Sequence, residues 1–251
     1  MQIAQGVEML EIAAEVMGET NFVYPVLLRD EDHAVLVDTG YPGLLHTFKQ
    51  AVAQAGVAWS ELDTVVITHQ DIDHIGGLPA MLGEPHSRVK VLAHPIEQPY
   101  IEGERMLLKH TPEAIAAAEA MLPPHVPEEW RRAFLHHLAH PPKAKVDALI
   151  EDGQELPVAG GVIVVETPGH SPGHISLYHP ASRTLIAGDS LTVKEGALHG
   201  PDPRVTPDMA AARSSLRRLA GYAIENVICY HGGLYRGDAG RRIAELAEEG
   251  Q

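Results

Sequence analysis

The stretch Thr68-His69-Gln70-Asp71-Ile72-Asp73-His74 places four nitrogen- or oxygen-donor side chains within seven residues, directly behind the apolar run Val65-Val66-Ile67. A short β-branched run reads as a buried strand, so the donors fall on the loop at its end. Two histidines and two aspartates at short alternating spacing on a loop present ligands in two directions. That suits two neighbouring cations better than one, but four donors do not complete two sites.

The remainder lies at other strand ends. Val165 leads through a short turn to His170, Ala187 through Gly188 to Asp189, and Tyr230 directly to His231. With these three the donor set is His69, Asp71, Asp73, His74, His170, Asp189 and His231, enough for three terminal ligands per cation and one shared carboxylate. The chain has 16 histidines, and most histidines are surface or satisfied interior residues. It is the coincidence of donors at strand ends that singles these out.

Composition narrows the function classes. With 34 acidic against 19 basic residues the formal charge is -15, which repels nucleic-acid phosphates and anionic lipid. Neither nucleic acid nor a membrane is the expected partner. Arg213, Arg217 and Arg218 read as a solvated helix face. The opening residues lack a basic segment followed by an apolar core, and no apolar run reaches the ~18 residues of a membrane span, so a cytoplasmic protein is expected. Cys229, the only cysteine, sits in an apolar run and reads as a buried structural thiol. Any metal must therefore be held by nitrogen and oxygen.

Along the chain, strands are predicted over 21–28, 34–37, 65–67, 88–93, 162–165, 175–178, 184–187 and 226–230, and helices over 44–55, 111–122, 127–140, 206–220 and after Asp238. No repeat, linker or low-complexity tract divides them. One domain over 1–251 is expected, with approximately 96–145 as an inserted helical cap. Trp130, Phe134 and Leu138 form a stripe on the second cap helix that either packs on the body or lines a substrate pocket. His110, His125 and His199 are candidates for the pocket border, whereas His136, His137 and His140 read as surface residues.

The order His69-Gln70-Asp71-Ile72-Asp73-His74, Gly169-His170, Gly188-Asp189 and His231-Gly232, with Asp38-Thr39-Gly40 ahead of it, resembles the metallo-β-lactamase-fold superfamily of metallohydrolases. The agreement spans residues 20 to 235. The resemblance implies an α/β fold, a four-layer αββα sandwich of two mixed sheets with the site along one sheet edge. It also implies that His69, Asp71 and His170 hold one divalent metal, that Asp73, His74 and His231 hold the other, and that Asp189 bridges them. Asp38 supports the metal loop from behind. A metal-bridging hydroxide would then attack an ester-like bond in a small molecule (lactone, thioester or other carboxylic ester), with Asp73 and Asp189 as the catalytic carboxylates.

Asp71 departs from the family, which usually has histidine there. A third carboxylate lowers the net charge of a two-cation centre and favours a harder ion, Fe²⁺ or Mn²⁺, over Zn²⁺; the other outcome is a weakened or lost first metal. Thr192 stands where lactonases of the superfamily place a tyrosine, and His174 either supports the site or contacts substrate, or is a plain strand-start residue. Three rivals remain: a phosphodiesterase of the same fold, an inactive metal-binding relative, and a serine hydrolase built on Gly169-His170-Ser171-Pro172-Gly173. The last leaves the opening stretch without a role.

Overall fold

Side-chain alternation along short apolar strands sorts this chain's core onto two faces of each sheet. The computed structural model describes residues 1–16, 19–124 and 126–249. The opening strands are β1 (Gln2–Ala4), β2 (Val7–Met9), β3 (Ile12–Val16), β4 (Glu19–Val23), β5 (Val26–Arg29) and β6 (Ala34–Val37). The single run expected over 21–28 is thus two strands. Pro25 has no N–H to give a ladder, and at this point the chain leaves the β3–β4 hairpin and pairs with β2 instead.

Next come α1 (Leu45–Gln54), β7 (Thr64–Ile67), α2 (Ile72–Ile75), α3 (Leu78–Leu82), β8 (Lys90–Ala93), α4 (Gln98–Ile101), α5 (Pro112–Met121), α6 (Glu128–Ala139), β9 (Ala148–Leu149), β10 (Glu155–Leu156) and β11 (Val162–Glu166). The last third holds β12 (Ile175–His179), β13 (Thr184–Gly188), β14 (Thr192–Lys194), β15 (Ala197–His199), α7 (Met209–Leu219), β16 (Asn226–Cys229), β17 (Gly233–Arg236) and α8 (Ala239–Glu248). The helix expected from Thr206 begins later, because Asp208 is its cap and accepts from Ala211 N at 2.8 Å. The strands β1 to β3, β9, β10, β14, β15 and β17 lie outside the expected runs; most are of two or three residues, too short to show a period.

One sheet runs β1-β2-β5-β6-β7-β8-β9 and the other β10-β11-β12-β13-β16-β17. Both are mixed: β6 to β9 are parallel neighbours in the first, and β13 and β16 in the second. Alternation fills three layers of core. Val26, Leu28, Val35, Val37 and Val66 of the first sheet meet Val162, Val164, Ile175, Leu177 and Ile186 of the second. Leu27, Leu36, Val65 and Ile67 face the other way, onto Phe48, Val52, Ile75, Leu78 and Met81 of the helices outside. Val165, Leu185 and Val227 do the same towards Leu216, Leu219, Ile243 and Leu246. Each such side chain contributes about 1.5–3 kcal/mol by leaving water. The order helix, sheet, sheet, helix is the expected αββα sandwich.

Between β8 and β9, within the segment expected to form a cap, lie α4, α5 and α6. Neither α5 nor α6 has a buried side chain among the described residues. The Trp130-Phe134-Leu138 stripe does not pack as core. Trp130 is 52% exposed, and all three residues line an open cavity of 460 Å³ together with Tyr41, Pro42 and Ile72.

Candidate metal centre

The site is assembled where β6, β7, β11, β13 and β16 end. Asp38, just past β6, takes a left-handed backbone (φ 64°), which is uncommon outside glycine. In that conformation its buried carboxylate faces the loop after β7. Oδ1 accepts from Thr68 N at 2.8 Å, and Oδ2 accepts from Thr68 Oγ1 at 2.8 Å and from His74 Nδ1 at 2.9 Å. The Asp38 contact places the proton of His74 on Nδ1 and leaves Nε2 with its lone pair facing the site. From the other side, Thr39 donates to His74 O through both N (2.8 Å) and Oγ1 (2.7 Å).

Two groups of donors converge, Asp73 with His74 and His231, and His69 with His170 and Asp189; Asp189 also faces the first group, through His74 and His231. His231 Nε2 lies 3.2 Å from Asp73 Oδ2 and 3.4 Å from Asp189 Oδ2, and His74 Nε2 lies 3.4 Å from Asp189 Oδ1. Donors held at 2.0–2.2 Å around a tetrahedral cation are about 3.4 Å apart, so the spacing fits a divalent metal. His74 Nε2 and Asp189 Oδ1 are also buried without a hydrogen-bond partner, an arrangement costly unless those lone pairs serve as ligands. Without a metal the charges hold one another. Burial lowers the affinity of His231 for a proton, but Asp189 and Asp73 outweigh it and lift the imidazole to about 10. Burial likewise opposes protonation of His74, but Asp38, Asp189 and Asp73 outweigh it and lift the ring well above its ordinary value. The same histidines outweigh burial at Asp189 and hold it well below the carboxylate range.

His69, Asp71 and His170 meet on the other side of Asp189. His69 Nε2 is 3.3 Å from Asp71 Oδ2, which is 3.0 Å from His170 Nε2, which is 3.3 Å from Asp189 Oδ2. His69 Nε2 is a third buried atom without a hydrogen-bond partner. These are the three residues expected as the first set of ligands; the donors that converge as a group here are His69, His170 and Asp189, with Asp71 beside them. This cluster also contains a side chain that sequence reasoning missed: Lys109 Nζ lies 2.5 Å from Asp71 Oδ2 and 2.6 Å from His170 Nε2. One lysine in Leu107-Leu108-Lys109-His110 carries no motif signal.

The loops are clamped by further buried groups. Asp189 N donates to His174 Nε2 at 3.0 Å, and Thr167 Oγ1 lies 2.8 Å from Nδ1 of the same ring, which is fully buried. His174 therefore positions Asp189 and touches no substrate space. Gly188 between them (φ 54°) has no room for a side chain, since a Cβ would stand 2.8 Å from His174 Nε2. Glu97, fully buried and also missed, accepts from Gln70 N (3.0 Å), Gln70 Nε2 (2.8 Å), Ser171 Oγ (2.7 Å) and Gly173 N (2.8 Å). It binds the loop after β7 to the turn before β12. Ser171 is thus occupied by Glu97, and a strand rather than a helix follows it, which removes the serine-hydrolase reading. Tyr230 Oη donates to Asp73 O at 2.6 Å.

A pocket of 240 Å³ opens beside the donors, lined by Asp71, Asp73, Lys109 and His110 on its polar side and by Ile72, Ile115 and Leu138 on its apolar side. His110 borders it as expected, held by Leu138 O at 2.9 Å from Nδ1. His199 does not: it is exposed on β15. Thr192 begins β14, and its buried Oγ1 makes no hydrogen bond to the donors. His136, His137 and His140 are all exposed, as expected; His136 and His140 stack at 4.6 Å, and His137 also borders the open apolar cavity. His125 lies outside the described residues. Cys229 is buried, and burial pushes its thiol up. No helix among the described residues is long and apolar enough to cross a membrane.

Fold and donor order together define a metal-binding hydrolase class. The family model described as "Metallo-beta-lactamase superfamily" matches residues 18–231, and the chain belongs to that family. It is 32% identical over 222 residues to the Bacillus subtilis (strain 168) protein named "Probable metallo-hydrolase YflN", covering 84% of this chain and 80% of that one. It is 26% identical over 215 residues to the hydroxyacylglutathione hydrolase of Aeromonas hydrophila, covering 84% of this chain and 61% of that enzyme, so it spans about three fifths of that relative. Among solved structures, a metallo-beta-lactamase family protein from Thermus thermophilus superposes with a TM-score of 0.69 at 25% identity, covering 98% of this chain and 79% of that one.

Proposed function

We propose that this chain is a metal-dependent hydrolase of a small ester-like substrate, a thioester, lactone or other carboxylic ester. The observation that carries the reading is the conjunction of buried, unpartnered donor atoms on His74 and Asp189 with a pocket whose polar wall is Asp71, Asp73 and Lys109. Asp73, His74, His231 and Asp189 would hold a divalent cation. Such a cation supplies the Lewis acidity that activates water and polarises a carbonyl oxygen.

The chain's own residues do the rest. Asp38 and Thr39 fix the ring of His74 from both sides, His174 fixes Asp189, and Tyr230 fixes the backbone of Asp73. Asp73 faces both the donor cluster and the pocket, which suits it to take a proton from the attacking water and return it to the leaving group. Ile72, Ile115 and Leu138 offer an apolar wall to an acyl chain, and the formal charge of -15 disfavours a phosphodiester. The relative named hydroxyacylglutathione hydrolase supports placing thioesters first among the substrates.

The test is turnover of thioesters, lactones, phosphodiesters and a β-lactam by protein stripped of metal and then reloaded with Zn²⁺, Mn²⁺ or Fe²⁺. Hydrolysis of an ester-like member that is lost on stripping and regained on reloading is the expected outcome. Metal-independent turnover, or turnover of the phosphodiester alone, defeats the reading.

A further inference from the structure

We infer that Lys109 is the resident cation of the cluster formed by His69, Asp71 and His170, and that the native chain therefore holds a single divalent metal, in the cluster of Asp73, His74, His231 and Asp189. This rests on the metal-dependent reading proposed for the second cluster and fixes how many metals that reading involves.

The argument is one of lone pairs. An ammonium group has three N–H donors and nothing to accept with, so His170 Nε2, 2.6 Å away, meets it with its lone pair. An imidazole nitrogen has one such pair, in the plane of the ring. Engaged by Lys109, it is not available to a metal. Asp71 Oδ2 is held at 2.5 Å by the same ammonium, a charge-assisted contact about twice as strong as a neutral one. Of the three donors peculiar to this cluster, His170 thus has its one lone pair engaged and Asp71 one of its two oxygens. In the other cluster no lysine or arginine approaches the donors among the described residues.

Lys109 is not a surface lysine that happens to fold inward. Leu107 before it is buried, Leu108 N donates to Gln70 Oε1 at 2.8 Å, and His110 after it is held by Leu138 O. Gln70 is itself held by Glu97 through two hydrogen bonds. The segment that delivers the ammonium is therefore tied to the same loop that carries Asp71.

This gives the aspartate a different purpose from tuning a metal. A carboxylate opposite Lys109 makes the pair neutral, whereas a histidine there would leave the ammonium facing three imidazoles. Asp71 and Lys109 read as one compensating device in which an ammonium does the electrostatic work of the first cation.

The test is metal content. Protein stripped with chelator, reloaded with excess Zn²⁺ and dialysed is expected to retain about one equivalent per chain, and Lys109→Met, which frees His170 and Asp71, about two. His231→Ala is expected to lower the wild-type value towards zero. Two equivalents in the wild type, or one in a folded Lys109→Met variant, overturns the inference while leaving metal-dependent hydrolysis intact. One equivalent surviving His231→Ala also overturns it, by putting the metal in the wrong cluster. No retained metal in the wild type overturns both the inference and the proposed function.

Discussion

The floor and the roof of this site are built on opposite terms. The donors of the floor stand at strand ends of the sandwich, and Asp38, His174, Glu97 and Tyr230 hold the loops beneath them from behind. The roof, α5 and α6, buries no side chain of its own among the described residues. In the function proposed, chemistry that tolerates errors of a few tenths of an ångström poorly would sit where packing fixes it, and recognition of an apolar group would fall to a surface that buries none of its own side chains. Lys109 crosses between them, carried by the segment that leads into α5 and ending among the donors of the floor.

The largest effects are expected where a donor is removed. Asp189 touches both clusters, 3.3 Å from His170 and 3.4 Å from His74 and His231. Asp189→Ala is expected to lower kcat/KM at least about a thousandfold, about 4 kcal/mol of transition-state stabilisation, with loss of bound metal. Full activity in that variant would break the distinction between floor and roof altogether. One step back, Glu97→Gln sets an amide NH₂ against N–H donors, either Gln70 N and Gln70 Nε2 on one side or Gly173 N on the other. The expected cost is about 2–3 kcal/mol in urea unfolding, the range for leaving buried groups unpaired. Asp38→Asn keeps the shape but weakens the orientation of His74, and should lower metal affinity about 10–100-fold.

What the sequence made legible follows the same division. A metal dictates residue type, so His69, Asp71, Asp73, His74, His170, Asp189 and His231 could be picked out from the ends of apolar runs, and the structure brings all seven together. The sandwich could be expected only through the family resemblance, because strands of three to five residues such as β1 and β14 are too short to display a period. Glu97 and Lys109 act through long-range contacts, with 76 residues separating Glu97 from Gly173 and 61 separating Lys109 from His170. No local pattern records a carboxylate or an ammonium whose partners come from another part of the chain. The roof showed a stripe with two readings, and the exposure of Trp130 removes the one in which it packs as core.

Protons report on the floor next. In the metal-free chain His231 is lifted to about 10 and His74 well above the ordinary histidine value. A raised folded-state value stabilises fully below the unfolded value of about 6.5 and less and less as pH climbs towards the folded one. The melting temperature of the metal-free protein should therefore fall as pH rises across that interval. Metal ligation needs neutral imidazole, so metal binding releases these protons and strengthens as pH rises. The gap between metal-loaded and metal-free melting temperatures should widen over the same range. A constant gap would mean that His74 and His231 are not ligands.

The smallest effects belong to the roof, and they sharpen the comparison most. Trp130 is half exposed, so Trp130→Ala should change stability by no more than about 0.5 kcal/mol and leave metal content unaltered. The same indole forms part of the 460 Å³ cavity with Phe134 and Leu138, and Ile72 and Leu138 wall both this cavity and the pocket beside the donors. An acyl chain whose carbonyl lies at Asp73 would pass between those two residues towards Trp130. Removing apolar contact worth about 1 kcal/mol raises KM about fivefold with kcat nearly unchanged, because contact far from the reacting carbonyl holds substrate and transition state alike. The rise should grow with acyl length and vanish for acetyl substrates. A fall in kcat independent of chain length would instead make the roof part of the catalytic machinery.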